Sequence, residues 1–325
     1  MTGRIEPHRE RRERSTPQPK RRRLWITLLA VIPALFAAGT AGAVWTGYSL
    51  YDRPFAWYNS NRIAATADRA ARDLSPPAVV VALGGSALRH ATLDEQGMAA
   101  LAAKHGVDGL HFLRIVQDHA RIGDFEPLLG DVLKLKPALV LLDVDLLFAE
   151  RSELAGLRRY GSHLTEVAVL GRSYLPDQIA LQYAKPCRPA GPEGWTASAA
   201  DRWVEKRKAA VRLNADAPAF DRVRRFADRA RAAGARVALL LPPRPAAVEE
   251  RLYGAGNGYL PAALDRLSGQ ADLPLWRFPD SARKAAPFCR NGMLGPEGRD
   301  AYSAWLAGGI AERLTRPRVE EAALQ

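Results

Sequence analysis

The chain has 325 residues, 47% hydrophobic and 25% charged, with 47 Lys and Arg against 35 Asp and Glu, a formal net charge of +12 and two cysteines. That composition is globular and excludes both a disordered chain and a multi-span membrane protein. Two cysteines exclude a disulfide-stapled mini-scaffold and a four-cysteine zinc module.

The charge is unevenly placed. Residues 1–23 hold nine Arg and Lys against three Glu, so half of the net charge sits in this short stretch. The remainder is an ordinary surface, and no nucleic-acid partner is expected, because such modules concentrate charge on a folded face. The Pro, Glu and Arg mixture of 1–23 predicts a disordered cytoplasmic tail. Residues 24–51 contain no charged side chain. A helix of about 20 apolar residues spans the hydrocarbon core, so a transmembrane helix is expected over 24–46, with Trp25 and Trp45 near the two interfaces. Pro33 is tolerated in such a helix. Cations precede the span, and Arg53 alone lies just after it. The positive-inside bias then keeps the N-terminus cytoplasmic, with the main domain in the periplasm beyond the inner membrane. A competing reading is a cleaved signal peptide with Ala41-Gly42-Ala43 as its site. In the anchored reading the lipid bilayer is a partner.

A helical linker is expected over 47–76, ended by Pro76-Pro77. The uninterrupted apolar run 78–83 reads as a strand buried in a parallel sheet. Gly84-Gly85-Ser86 follows, then Thr92 as N-cap of a helix over 93–105. Residues 110–115 form a second strand. Phe125, Leu128, Leu129, Val132 and Leu133 have helical spacing, which predicts a helix over 124–135, broken by Pro137. A third strand covers 138–142. The Gly- and Pro-rich stretch 171–200 reads as an insertion outside the core. A basic amphipathic helix over 220–233 closes at Gly234, and a fourth strand over 237–241 ends at Pro242-Pro243. A helix over 260–269, a strand over 273–278, a helix over 298–314 and a tail over 317–325 complete the chain. Strands alternating with helices give one α/β domain over 77–316, built on a doubly wound parallel sheet. Such sheets place chemistry at the carboxyl ends of their strands. The loops after Leu83, Ile115, Leu142 and Leu241 are therefore where site residues are sought.

Two segments stand out. Gly84-Gly85-Ser86 is a tight strand-to-helix turn that presents a hydroxyl beside backbone amides. Leu294-Gly295-Pro296-Glu297-Gly298-Arg299, followed by Tyr302-Ser303-Ala304-Trp305-Leu306, leads into the last helix. In this order, with these flanking elements, they resemble the SGNH (GDSL-like) hydrolase superfamily, and within it the membrane-anchored periplasmic members linked to acylation of cell-envelope polymers. The likeness spans roughly 78–314. It implies a three-layer fold with Ser86 as nucleophile, Gly84 and Gly85 shaping an oxyanion site, and Gly123 as a loose equivalent of the second-block glycine.

The departures from that pattern bear on function. The family's closing Asp-x-x-His block has Met293 where the histidine belongs and Arg290 where the aspartate belongs; Asn291 matches the aspartate if the alignment slips by one. No histidine follows His163. Serine without a base is a poor nucleophile. The remaining candidate bases are His90, four residues after Ser86 and so on the same face of a helix, and His119, after the second strand. Leu142-Asp143-Val144-Asp145 replaces the family's Gly-x-Asn-Asp block. Strand alternation points Asp143 and Asp145 to one face, where they hold a polar substrate or cation, or simply end a strand with capping or Arg partners. No metal-ligand spacing is present, and no cofactor is expected. Cys187 and Cys289 are expected to pair in an oxidising compartment and pin the insertion over the edge of the site; two unpaired thiols are the alternative.

Two readings of function follow. One is a membrane-anchored periplasmic esterase or O-acyltransferase acting on envelope polysaccharide. The other is a catalytically degenerate domain that binds glycan or a partner protein in an envelope or exopolysaccharide assembly. A third, purely structural reading rests on Gly39, Ala43 and Gly47 at spacing four in the apolar helix.

Overall fold

The computed structural model describes residues 19–73, 78–118, 120–147, 160, 169, 182–183, 187–190, 194–207, 218–253, 264–265, 268–270, 272–285 and 287–315. It begins with a long helix. α1 (Pro19–Gly47) passes through a π-helical turn (Tyr48–Asp52) into α2 (Arg53–Ala70). Among the described residues one stretch, Trp25–Ala70, is long and apolar enough to cross a membrane, and its apolar window is not buried against the domain. Trp25 is 64% and Trp45 72% exposed. The linker expected over 47–76 therefore begins without a break from the apolar helix. Of the small residues, Gly39 faces open space, whereas the Tyr160 ring covers Gly47 and the Tyr160 hydroxyl reaches Asp52.

The domain is built on five parallel strands: β1 (Ala78–Gly84), β2 (Leu110–Val116), β3 (Leu139–Asp143), β4 (Arg236–Leu241) and β5 (Leu275–Arg277). Their order is β2-β1-β3-β4-β5. The chain runs outward from β1 to β2, then returns past β1 to β3. The reversal leaves a crevice outside the carboxyl ends of β1 and β3. Successive side chains alternate between faces. Val79, Val81 and Leu83 of β1 join one core with Ile115, Phe125, Val140 and Phe226, while Val80 and Ala82 join another with Met98, Leu141, Tyr302 and Ile310. Helices cover both faces. α2, α5 (Ile122–Lys134) and α7 (Pro218–Ala232) lie on the first. α3 (Ser86–Ala91), α4 (Glu95–Lys104) and α10 (Pro296–Thr315) lie on the second. The stalk helix docks on this body through an edge-on contact of Phe55 with Phe125, at 5.8 Å between ring centroids, and a hydrogen bond from Ser60 to Asp131.

The α/β class with a parallel sheet is as the sequence reading has it, with local differences. A short helix, α3, starts directly after Gly85. Thr92 is therefore a C-cap, its hydroxyl donating to Leu88 O, and Asp94 caps α4 by accepting from the Gly97 N–H at 2.8 Å. α5 starts two residues early because the Asp124 carboxylate accepts the Arg121 N–H at 2.8 Å. Part of the expected insertion is ordered by a small core of its own. α6 (Ala197–Arg207) buries Ala200 and Trp203 against Val248 of α8 (Ala246–Tyr253). Another short helix, α9 (Asp280–Ala285), follows β5. Pro76-Pro77, most of 171–193 and most of the helix expected over 260–269 lie outside the described residues.

Candidate functional site

The carboxyl ends of β1 and β3 are held together by one buried carboxylate. Asp143, the last residue of β3, is fully buried. Its Oδ2 accepts the Gly85 N–H at 3.1 Å, and its Oδ1 accepts the Asp145 N–H at 3.0 Å. Gly84 has to be glycine for this approach. A Cβ there would lie 2.6 Å from the Asp143 Cβ and 2.8 Å from its Oδ2. Burial pushes the Asp143 carboxyl up to about 7, and the neighbouring Asp145 adds to the rise.

Asp145 follows in a 3₁₀ turn (Val144–Leu147). Its Oδ1 receives the Arg244 guanidinium at 2.6 Å, and its Oδ2 faces Gly85. Arg244 is buried, and its N–H donates to Glu249 Oε1 at 2.9 Å; Glu249 also pairs with Arg283. Arg121, at the head of α5, lies near Asp145 and Asp143; burial lowers its pKa against the pull of both carboxylates. Behind Asp143 lies the fully buried Tyr302, whose hydroxyl is pushed well up by burial and, secondarily, by the Asp143 charge. Asp145, Arg244 and Arg121 thus stand beside a half-buried Ser86, over the buried Asp143.

Two of the expected catalytic candidates, Ser86 and His90, share one short helix. Ser86 is the first residue of α3, and His90 lies one turn on in the same helix. Among the described residues, no hydrogen bond joins the Ser86 hydroxyl to an imidazole or a carboxylate. His90 is buried, and its pKa falls to about 4, chiefly through burial and then through Arg89; Asp118 opposes the fall. An imidazole of that pKa holds an abstracted proton poorly at neutral pH. His119 lies outside the described residues. The glycines expected to shape an oxyanion site lie at the same turn. The Gly85 N–H donates to Asp143. Gly84 serves strand packing. Gly123, the loose equivalent of the second-block glycine, lies in the first turn of α5. Asn291 is exposed, and its Oδ1 accepts the Met293 N–H at 3.1 Å while its carbonyl accepts from Trp203 Nε1. It stabilises a turn at Gly292 (φ +81°) and makes no hydrogen bond to Asp143 or Asp145 among the described residues. Cys187 and Cys289 are joined by a disulfide with Cα atoms 5.8 Å apart, which ties residues 187–190 to the closing loop. Among the described residues no group of three His, Cys, Asp or Glu is arranged to hold a metal ion.

Arg244, Arg121 and Arg114 were not singled out by the sequence reading. Arg244 had a signal: a cation flanked by prolines straight after a buried strand on the functional edge. Arg114 had a fainter one, a lone charge inside the apolar run of β2. It is buried, and its Nη1 donates to the Thr92 and Leu93 carbonyls at 2.7 and 2.9 Å, so it caps the end of α3 and fixes the helix that carries Ser86.

No model of a known protein family matches this chain, and no curated protein matches it. Solved structures similar to it include the YxiM protein from Bacillus subtilis, with 12% identity, a TM-score of 0.38, and coverage of 74% of this chain and 59% of that one. This chain thus spans less than two thirds of YxiM. An extracellular lipase from Streptomyces rimosus is similar at 14% identity with a TM-score of 0.31, over 73% of this chain and 98% of the lipase. Likenesses this distant do not say what this chain binds or converts.

Proposed function

We propose that the protein is a membrane-anchored domain that binds cell-envelope polysaccharide through an SGNH-like site from which Ser-His-Asp chemistry has been lost. The observation that carries this reading is the use of the Gly85 amide by buried Asp143, with no imidazole on Ser86 among the described residues. What remains at the crevice is a half-buried hydroxyl and the Asp145 carboxylate with the Arg244 and Arg121 guanidinium groups near it. These are donors and acceptors suited to a polyhydroxylated chain. The surplus of cations before the apolar helix supports an outward-facing domain, and the Cys187–Cys289 disulfide is in keeping with an oxidising compartment.

The esterase or O-acyltransferase reading keeps one specific support. Ser86 lies at the switch point with Asp145 close by. In that reading the Ser86 oxygen attacks the ester carbonyl while a carboxylate takes its proton, the sugar alcohol leaves with that proton to give acetyl-Ser86, and water hydrolyses this ester to acetate and free Ser86. Co-sedimentation of the full chain in nanodiscs with acetylated and deacetylated envelope polysaccharide separates the two readings, with acetate measured in the same tubes. The binding reading predicts retention without acetate release. Acetate release that disappears in Ser86→Ala overturns it.

A further inference from the structure

A second concavity lies beside the crevice. The disulfide holds residues 187–190 against the closing loop: Ala190 N–H donates to Phe288 O at 3.0 Å, and Arg290 N–H to Arg188 O at 2.9 Å. Between this pair and the turn after β4 is a cavity of about 390 Å³, within the roughly 300–1,000 Å³ of small-ligand pockets. Its walls are apolar and stiff, with Pro245, Pro287, Trp195 and Phe288 among them. Trp195 is fixed in place, its Nε1 donating to Cys289 O at 3.0 Å and its ring packing on Gly292. Arg283 is the charged residue of the lining, and it pairs with both Glu249 and Asp280. Glu249 in turn accepts from Arg244, which grips Asp145, so a chain of polar contacts connects this cavity to the Ser86 crevice.

We infer that this cavity is a subsite for one neutral sugar ring, stacked on the aromatic walls with its hydroxyls toward Arg283. A pyranose has apolar C–H faces and a polar rim. The cavity offers the complement: rigid aromatic and proline surface with the Arg283 guanidinium as donor. Neutrality follows from Arg283, whose charge is already met by two carboxylates. A uronate would find the charged residue of the lining already paired with Glu249 and Asp280. Because the Trp195 indole and the loop carrying Phe288 are both fixed through Cys289, an intact disulfide is required for the walls to stand.

The inference rests on the saccharide-binding reading, and its test separates the two. The full chain in nanodiscs is titrated by saturation-transfer NMR and tryptophan fluorescence with neutral tetrasaccharides of glucose, mannose, galactose and N-acetylglucosamine, with tetragalacturonate, and with a proline-rich decapeptide. At least one neutral tetrasaccharide is expected to bind. Trp195→Ala should weaken it at least tenfold, Trp195→Phe should largely retain it, and tetragalacturonate should bind no tighter. Thiol titration confirms that each variant keeps its disulfide. Where Trp195→Ala breaks the disulfide, Phe288→Leu with the disulfide intact decides in its place, with a severalfold loss expected. Neutral-sugar binding unchanged by wall variants with an intact disulfide overturns the subsite and leaves the broader reading standing. Binding of none of the sugars overturns both. Preference for the peptide overturns the subsite in favour of a peptide groove.

Discussion

Gly84→Ala tests the geometry that joins β1, β3 and the site. The new Cβ would sit 2.6 Å from Asp143 Cβ, 2.8 Å from Asp143 Oδ2 and 2.8 Å from Leu88 Cδ2. Carbon atoms pack best at about 3.5–4.0 Å, so each contact is roughly 1 Å too close. None of the three partners can yield freely. Leu88 is fully buried, and Asp143 is held by the Gly85 and Asp145 amides. Overpacking of this kind costs about 1–3 kcal/mol, and freeing a buried amide or carboxyl adds about 1–3 kcal/mol. We expect a loss near 4 kcal/mol, read by urea unfolding of the full chain in detergent micelles. Gly85→Ala is the control. Its Cβ meets nothing closer than 3.9 Å and its φ is −99°, so its cost should stay within about 1 kcal/mol, the scale of a weaker N-cap. A Gly84→Ala protein as stable as wild type would mean that β1 and β3 do not approach as described, and the placement of Asp143 would fall with it.

Two buried groups give stability opposing pH dependences. The folded state holds the Asp143 proton up to about pH 7, whereas an unfolded carboxyl releases it near 4, so stability falls as pH rises through that window. His90 acts the other way. Its folded pKa is about 4 against 6.5, so stability rises by up to about 3 kcal/mol as pH climbs from 4 to 6.5. Unfolding of His90→Gln between pH 4 and 8 should show only the fall, and that of Asp143→Asn only the rise; unchanged slopes would refute the assignment. Arg114→Met strips the cap from α3 and should cost about 3 kcal/mol or more, seen as accelerated amide exchange in 86–93. Cys187→Ser with Cys289→Ser opens a loop of 102 residues and should lower stability by about 4–5 kcal/mol in thermal melts, an effect that reductant reproduces in wild type.

β1, β3 and β4 were legible because each is a continuous apolar run bounded by Gly, Pro or a charge, which only a sheet covered on both faces accommodates. The three-layer order followed from their alternation with helices. Thr92 misled because its hydroxyl suits either end of a helix; tertiary packing, with Arg114 over the Arg89–Leu93 carbonyls, made it a terminus. Asp143 and Asp145 were readable as a pair, but their division of labour was not. One turns inward to the Gly85 amide and the other outward to Arg244, a residue about 100 positions away in sequence. Only the fold brings that arginine to them. The Cys187–Cys289 pairing was legible from the two cysteines, but the cavity beside it was not.

The account turns on whether Ser86 is a nucleophile. The most direct measurement is intact-mass analysis of the folded full chain after exposure to a fluorophosphonate probe. We expect no adduct in a protein whose thermal unfolding is otherwise cooperative. A stoichiometric adduct on Ser86, absent in Ser86→Ala, would contradict the account and restore the esterase reading.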